Sequence, residues 1–166
     1  MCSSDLFSGV DLSEALDLPP GDELAGIDLS GANLSGAYWN GGTLIDVNLS
    51  GANLEGANFE VCEVEGGVNL TRANLRNAFF RVDLTGADLT GADLTGADLT
   101  DISLDSAILI GANLRNARLH QTSIDGADLT GADLRGAILE NTSLQNANLT
   151  NEIGRASCRE RVLMPV

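Results

Sequence analysis

Apolar residues return at every fifth position through most of the chain. In Val82–Thr100, VDLTGADLTGADLTGADLT, leucine stands at 84, 89, 94 and 99, with Ala two residues before each later one. An α-helix turns about 100° per residue, so this spacing would wind the leucines around the cylinder and leave no apolar stripe. A straight strand fails as well, because side chains alternate and successive leucines would land on opposite faces. The pattern is met by a chain that bends once per unit. Ala92 and Leu94 then point to one side across a short extended piece, Asp93 points away, and Thr95-Gly96 form the corner. Glycine accepts the positive φ that such a corner requires.

A quarter turn per unit closes a square coil of twenty residues, and the exceptions to the pattern test that figure. The inward position usually held by Ala reads Gly42, Cys62, Val82, Ile102, Thr122 and Thr142, at intervals of twenty. Trp39, Phe59 and Phe80 fall together on another side. A three-sided coil would scatter both sets. One residue is inserted at Glu65-Gly66-Gly67-Val68 and one is lost between Phe80 and Leu84, so Val64 to Leu84 is still twenty. A bulge at the Gly66-Gly67 corner is expected.

The units Ala32-Asn33-Leu34-Ser35-Gly36, Ala52-Asn53-Leu54-Glu55-Gly56 and Ala127-Asp128-Leu129-Thr130-Gly131 resemble the pentapeptide repeat family, with its A(D/N)LXX motif. The resemblance implies an all-β fold, a right-handed quadrilateral parallel β-helix, and the spacing gives it about six twenty-residue coils. The solenoid is expected over 24–151. Residues 7–23, with a stray Val10-Asp11-Leu12 unit and the Pro19-Pro20-Gly21 stop, form an irregular lead-in: a partial cap, or a loop after an earlier coil. Residues 1–6 and 152–166 carry no repeat, and MCSSDL and EIGRASCRERV resemble translated sequencing adapters. Those ends are set aside, and the chain is read as a fragment of a longer bacterial protein.

Formal net charge is −15, which argues against direct nucleic-acid or anionic-membrane binding. No apolar run reaches the roughly 20 residues of a membrane span. The cytoplasm is the favoured compartment. Few cysteines leave no disulfide framework, and Cys62 reads as a small buried hydrophobe. His120, the single histidine, has no Cys or Asp at ligand spacing and reads as a solvated surface residue. Trp39, Phe59 and Phe80 read as stacked core on one wall, with Tyr38, Phe79 and Ile138 on its outer side as a possible contact patch.

No phosphate loop, catalytic triad, metal set or calcium-binding nonapeptide is present. A filled tube also offers no concave pocket, and ligand sites are concave. No catalytic, cofactor or metal residues are assigned, and no enzyme is expected. The favoured function is a rigid acidic rod acting as a protein-interaction or spacer module, able to associate end to end through unpaired coil edges. The family resemblance adds an alternative, a DNA-mimicking binder of type II topoisomerase (gyrase) of the quinolone-resistance kind. Against it, such members favour Phe at the unit centre, where this chain has mostly Leu. A further alternative is ice binding by the outward hydroxyl rank Ser30, Ser50, Thr71, Thr90, Thr130 and Thr150, which Ile110 interrupts.

Overall fold

The structure, a computed structural model, describes residues 10–11, 23–39, 41–60 and 63–154. Cys62 lies outside them. The described backbone is a quadrilateral parallel β-helix. Its longest strands are β1 (Glu23–Ala25), β2 (Thr43–Ile45), β3 (Asn58–Phe59), β4 (Glu63–Glu65) and β5 (Phe79–Phe80). β1, β2 and β4 stack in parallel as one sheet, and β3 and β5 as another. Single parallel bridges carry the same stacking through the remaining units except Val82-Asp83-Leu84, where the Leu84 amide donates to the Ser103 carbonyl of the next coil at 2.9 Å without a bridge.

Four walls result. Wall A is marked by the outward run Asp28, Asn48, Asn69, Asp88, Ile108, Asp128 and Asn148, each paired with the next. Wall B runs through Asn33, Asn53, Asn74, Asp93, Asn113, Asp133 and Ile153. Wall C carries Tyr38, Asn58, Phe79, Asp98, Arg118 and Ile138. On wall D, β1, β2 and β4 lead on to Ser103, Ser123 and Ser143. From Glu23 onward the repeat is twenty residues except around the insertion. There Asn48 pairs Asn69 and Asn69 pairs Asp88, so the residue gained at one corner is returned within the next coil. The spacing of twenty expected from the sequence is therefore the register of the fold. Stacking, with its coil-to-coil hydrogen bonds, is what the irregular coil preserves.

Most corners are four-residue turns. The amide of Ala92, for example, donates to the Leu89 carbonyl at 3.0 Å, with Gly91 between them at φ 66°. Positive φ at the third residue is the requirement of a type II turn, and it explains why Gly or Asn usually stands there. At the inserted corner Gly66 takes φ 74°, and the Gly67 amide donates to Asp46 Oδ1 on the coil beneath.

Central Leu and companion Ala line the lumen and are nearly all buried; Leu34, Leu54, Leu94 and Ala92 have no exposed surface. Each such Leu contributes about 1.5–3 kcal/mol through burial. Ala usually stands beside it because the inward rows of the walls converge on a narrow axis, although Val47, Val68, Val82, Ile102, Thr122 and Thr142 are also buried at that position. On wall C, Trp39 stacks on Phe59 at 4.5 Å and Phe59 on Phe80 at 4.9 Å, as expected. Stacks of this kind add about 0.5–1.5 kcal/mol per pair beyond burial.

Pairing extends past both expected ends of the solenoid. Asp11 pairs with Asn33, and the Asn33 amide donates to the Val10 carbonyl. Val10-Asp11 thus stacks on wall B ahead of Asn33, and the rest of the lead-in lies outside the described residues. At the other end Ile153 pairs with Asp133, two residues beyond the last recognisable unit. Backbone pairing needs no Ala or Leu, so a motif boundary undershoots it.

Candidate contact surfaces

Filling of the lumen leaves the outer walls as the place for function, and their chemistry follows from the second residue of each unit. On wall A the Asp28 carboxylate accepts the Ser30 amide at 2.9 Å, and Asp88 accepts the Thr90 amide at 3.0 Å. These bonds reach two residues ahead and brace the corner. They hold Asp28 and Asp128 below the ordinary carboxylate range, through Ser30 and Thr130 respectively. Between coils, asparagine adds a second bond. Asn53 Nδ2 donates to Asn33 Oδ1 at 3.0 Å, Asn74 Nδ2 to Asn53 Oδ1 at 2.9 Å, and Asn113 Nδ2 to Asp93 Oδ1 at 3.1 Å.

Wall D solves the same problem differently. Its outward residues there are serines, and the carboxylate has moved past the centre to Asp105 and Asp125. Asp105 Oδ1 accepts both the Asp125 amide and the Ser123 hydroxyl of the next coil. Asp125 repeats the arrangement with Gln145 and Ser143.

Charge is unevenly spread. All described cations are arginines on walls B and C or their corners: Arg72, Arg76, Arg81, Arg115, Arg118 and Arg135. Ion pairs join Arg76 to Asp93, Arg81 to Asp101, Arg118 to Asp98 and Arg135 to Asp133. The Arg135 pair, opposed in part by burial, lowers Asp133 to about 2. Burial pushes the Glu152 carboxyl up, with Asp133 adding to it. Walls D and A carry Glu23, Glu63, Asp83, Asp28, Asp88 and Asp128 with no arginine among their outward residues.

Tyr38 stands outward on wall C and is 47 % exposed. Phe79 and Ile138 are only partly exposed, and the Arg81 guanidinium lies 5.2 Å from the centre of the Phe79 ring. Two further exposed apolar residues, Ile108 and Ile110, lie instead on wall A and its corner, at 39 % and 40 %, and Ile153 at the end of wall B is 52 % exposed. In the linear sequence Ile110 shows only as a gap in the hydroxyl rank, and Ile108 does not stand out. The available signal was apolar residues at two positions where neighbouring coils have Asp-Leu-Thr.

His120 is half-buried and lies 3.6 Å from Glu140 Oε2 on the next coil, so it has a partner that linear spacing hides. Within the hydroxyl rank, Thr71, Thr130 and Thr150 bend back onto Asn69, Asp128 and Asn148. Bonds spent within the unit, together with Ile110, count against an ice-matching array. Among the described residues no three His, Cys, Asp or Glu side chains are placed to hold a metal ion, and no helix is long and apolar enough to cross a membrane. The expectation of a surface without concavity is corrected in one place. A depression of about 460 Å³ opens at the corner between walls A and B, lined by Ser50, Gly51, Thr71, Arg72 and Thr90. Glycine corners and short hydroxyl side chains leave that edge low.

The family model for pentapeptide repeats matches eight copies, over residues 23–60, 66–101, 83–121 and 112–151. The chain belongs to the pentapeptide repeat family, and its β-helix is right-handed, as in that family. Among solved structures it is similar to Rfr23, a pentapeptide repeat protein of the cyanobacterium Cyanothece 51142, at 25% identity over 89% of this chain and 90% of that one, with a TM-score of 0.49. It is also similar to trypsin-treated QnrB1, a plasmid-mediated fluoroquinolone resistance protein, at 17% identity over 92% and 87%, with a TM-score of 0.44. A pentapeptide repeat protein of the Arabidopsis thaliana thylakoid lumen matches at 28% identity over 84% and 74%, with a TM-score of 0.35. No curated protein matches the chain in sequence.

Proposed function

We propose that this β-helix is a non-catalytic, rigid acidic module that works by protein contact along its outer walls. The filled lumen supports the reading most directly. Leu, Ala and the Trp39–Phe59–Phe80 stack occupy it among the described residues, with a void of about 10 Å³ and an apolar lining near Val64. Such a lumen offers no place to enclose a substrate. Wall A supplies a contact surface. With Ile at 108, that unit has no side-chain acceptor for the Ile110 amide, and it exposes two isoleucines that nothing in the fold requires. The double variant Ile108→Asp with Ile110→Thr restores the neighbouring pattern Asp128-Leu129-Thr130 and so keeps the coil. In affinity purification from the source cells, the original chain should retain a partner that the variant loses. Identical capture by both would contradict this surface.

A second reading, a DNA-like binder of type II topoisomerase, draws on the net charge of −15 and on the arginine-free outward residues of walls D and A. Purified gyrase tests it. Binding with reduced supercoiling would favour this reading, whereas neither effect would remove it.

A further inference from the structure

We propose that the depression at the corner of walls A and B is a seat for an oxyanion, a phosphate or carboxylate group, held by the Arg72 guanidinium and the Ser50 and Thr90 hydroxyls. This goes beyond the module reading and does not depend on it. Arg72 occupies the turn position filled by Gly31, Gly51, Gly91, Gly111 and Gly131 and by Asn151 on the other coils, and it does so at φ 56°. A long side chain is strained there, and strained backbone concentrates at functional positions. Nothing in the fold compensates for it. Arg76, Arg81, Arg118 and Arg135 each meet a carboxylate, whereas Arg72 and Arg115 form no ion pair or side-chain hydrogen bond with any described residue, and of those two only Arg72 sits at positive φ.

The surroundings suit an anion despite the acidity of the whole chain. Ser50, Gly51, Thr71 and Thr90 complete the lining, so no carboxylate faces the depression. Asp88, two residues before Thr90 on wall A, is engaged by the Thr90 amide, and Asp93 on wall B is engaged by Arg76. The Thr71 hydroxyl donates to Asn69. Those of Ser50 and Thr90 make no bond to another described residue and are left to donate outward. A guanidinium fork matches two oxygens of a carboxylate or phosphate, and flanking hydroxyls can take the rest.

The test is an amide-resolved NMR titration of the full chain with inorganic phosphate and, separately, with acetate, at constant ionic strength. Saturable shifts centred on Gly51, Arg72 and Gly91 are expected. Saturation by phosphate alone assigns a phosphoryl ligand, and saturation by acetate assigns a carboxylate. Arg72→Gly should abolish the shifts while raising Tm by about 3 °C, because it restores the residue of the neighbouring coils. Arg72→Lys should weaken binding by about tenfold or more, since the charge remains and the fork is lost. Absence of saturation by either anion, or undiminished shifts in Arg72→Gly, would overturn the seat. Neither result bears on protein contact at Ile108 and Ile110.

Discussion

The Asn113 side chain donates its amide to Asp93 Oδ1 on the coil before it, across 3.1 Å. Asp93 also accepts from Thr95 and Arg76, so one carboxylate ties together a corner, a wall and an ion pair. Replacing Asn113 by Asp removes the donor and sets two carboxylates opposite each other, about 4.8 Å apart along the stack. Asn113→Asp should cost about 1 kcal/mol, measured as a lower midpoint in urea, and 1 M salt should recover part of the loss. No loss at low salt would show that the asparagine ladder is incidental.

Two buried threonines give opposite expectations. Thr122 Oγ1 donates to the Leu99 carbonyl at 2.6 Å, whereas Thr100 Oγ1 is buried with no hydrogen-bond partner. Thr122→Val leaves that carbonyl short of a donor and should destabilise by about 1–3 kcal/mol. Thr100→Val removes an unsatisfied hydroxyl and should be neutral or stabilising. Thermal melts of the two variants side by side make the comparison. Equal effects would mean that the Thr122 bond contributes nothing.

The acid limb of stability follows from the aspartates. Asp28, Asp93, Asp128 and Asp133 have lowered pKa values in the fold, Asp133 at about 2. At Asp93, burial acts in the opposite direction and is outweighed by the Thr95 and Arg76 bonds. A depressed carboxyl stabilises the fold above its unfolded value, near 3.9, and that gain is lost as pH falls through the folded value. Glu152 has the opposite sign, since its raised pKa lets the fold gain on protonation. Four groups outweigh one, so Tm should be level from pH 8 to 5 and fall between about pH 4 and 2. A Tm that rises over that interval would contradict the assignment.

How far the sequence could be read depended on whether a feature repeats. Leu94, Ala92 and the twenty-residue exceptions at Val82, Ile102 and Thr122 disclose the coil, because burial and stacking act on every unit alike. The insertion at Gly66-Gly67 was legible for the same reason, as a break in a strict count. Single contacts were not. Nothing in the spacing shows that Thr122 hooks the Leu99 carbonyl, that His120 meets Glu140, or that Asp105 caps the following coil. These depend on rotamers and on which residues stack, known only once the register is fixed. Arg72 is the clearest case, because its positive φ is a property of its position in the turn and is invisible in the residue itself.

Cross-linking tests the coil itself most directly. In a chain with Cys2, Cys62 and Cys158 replaced by Ser, Ser103→Cys is combined either with Ser123→Cys, twenty residues on, or with Arg118→Cys, fifteen residues on. Ser103 and Ser123 are register partners on wall D, so their Cα atoms lie about 4.8 Å apart, within reach of a disulfide. The 103–123 pair should oxidise readily with the melting temperature held or raised, and the 103–118 pair should stay reduced. Ready oxidation of 103–118, with 103–123 remaining reduced, would contradict the square coil.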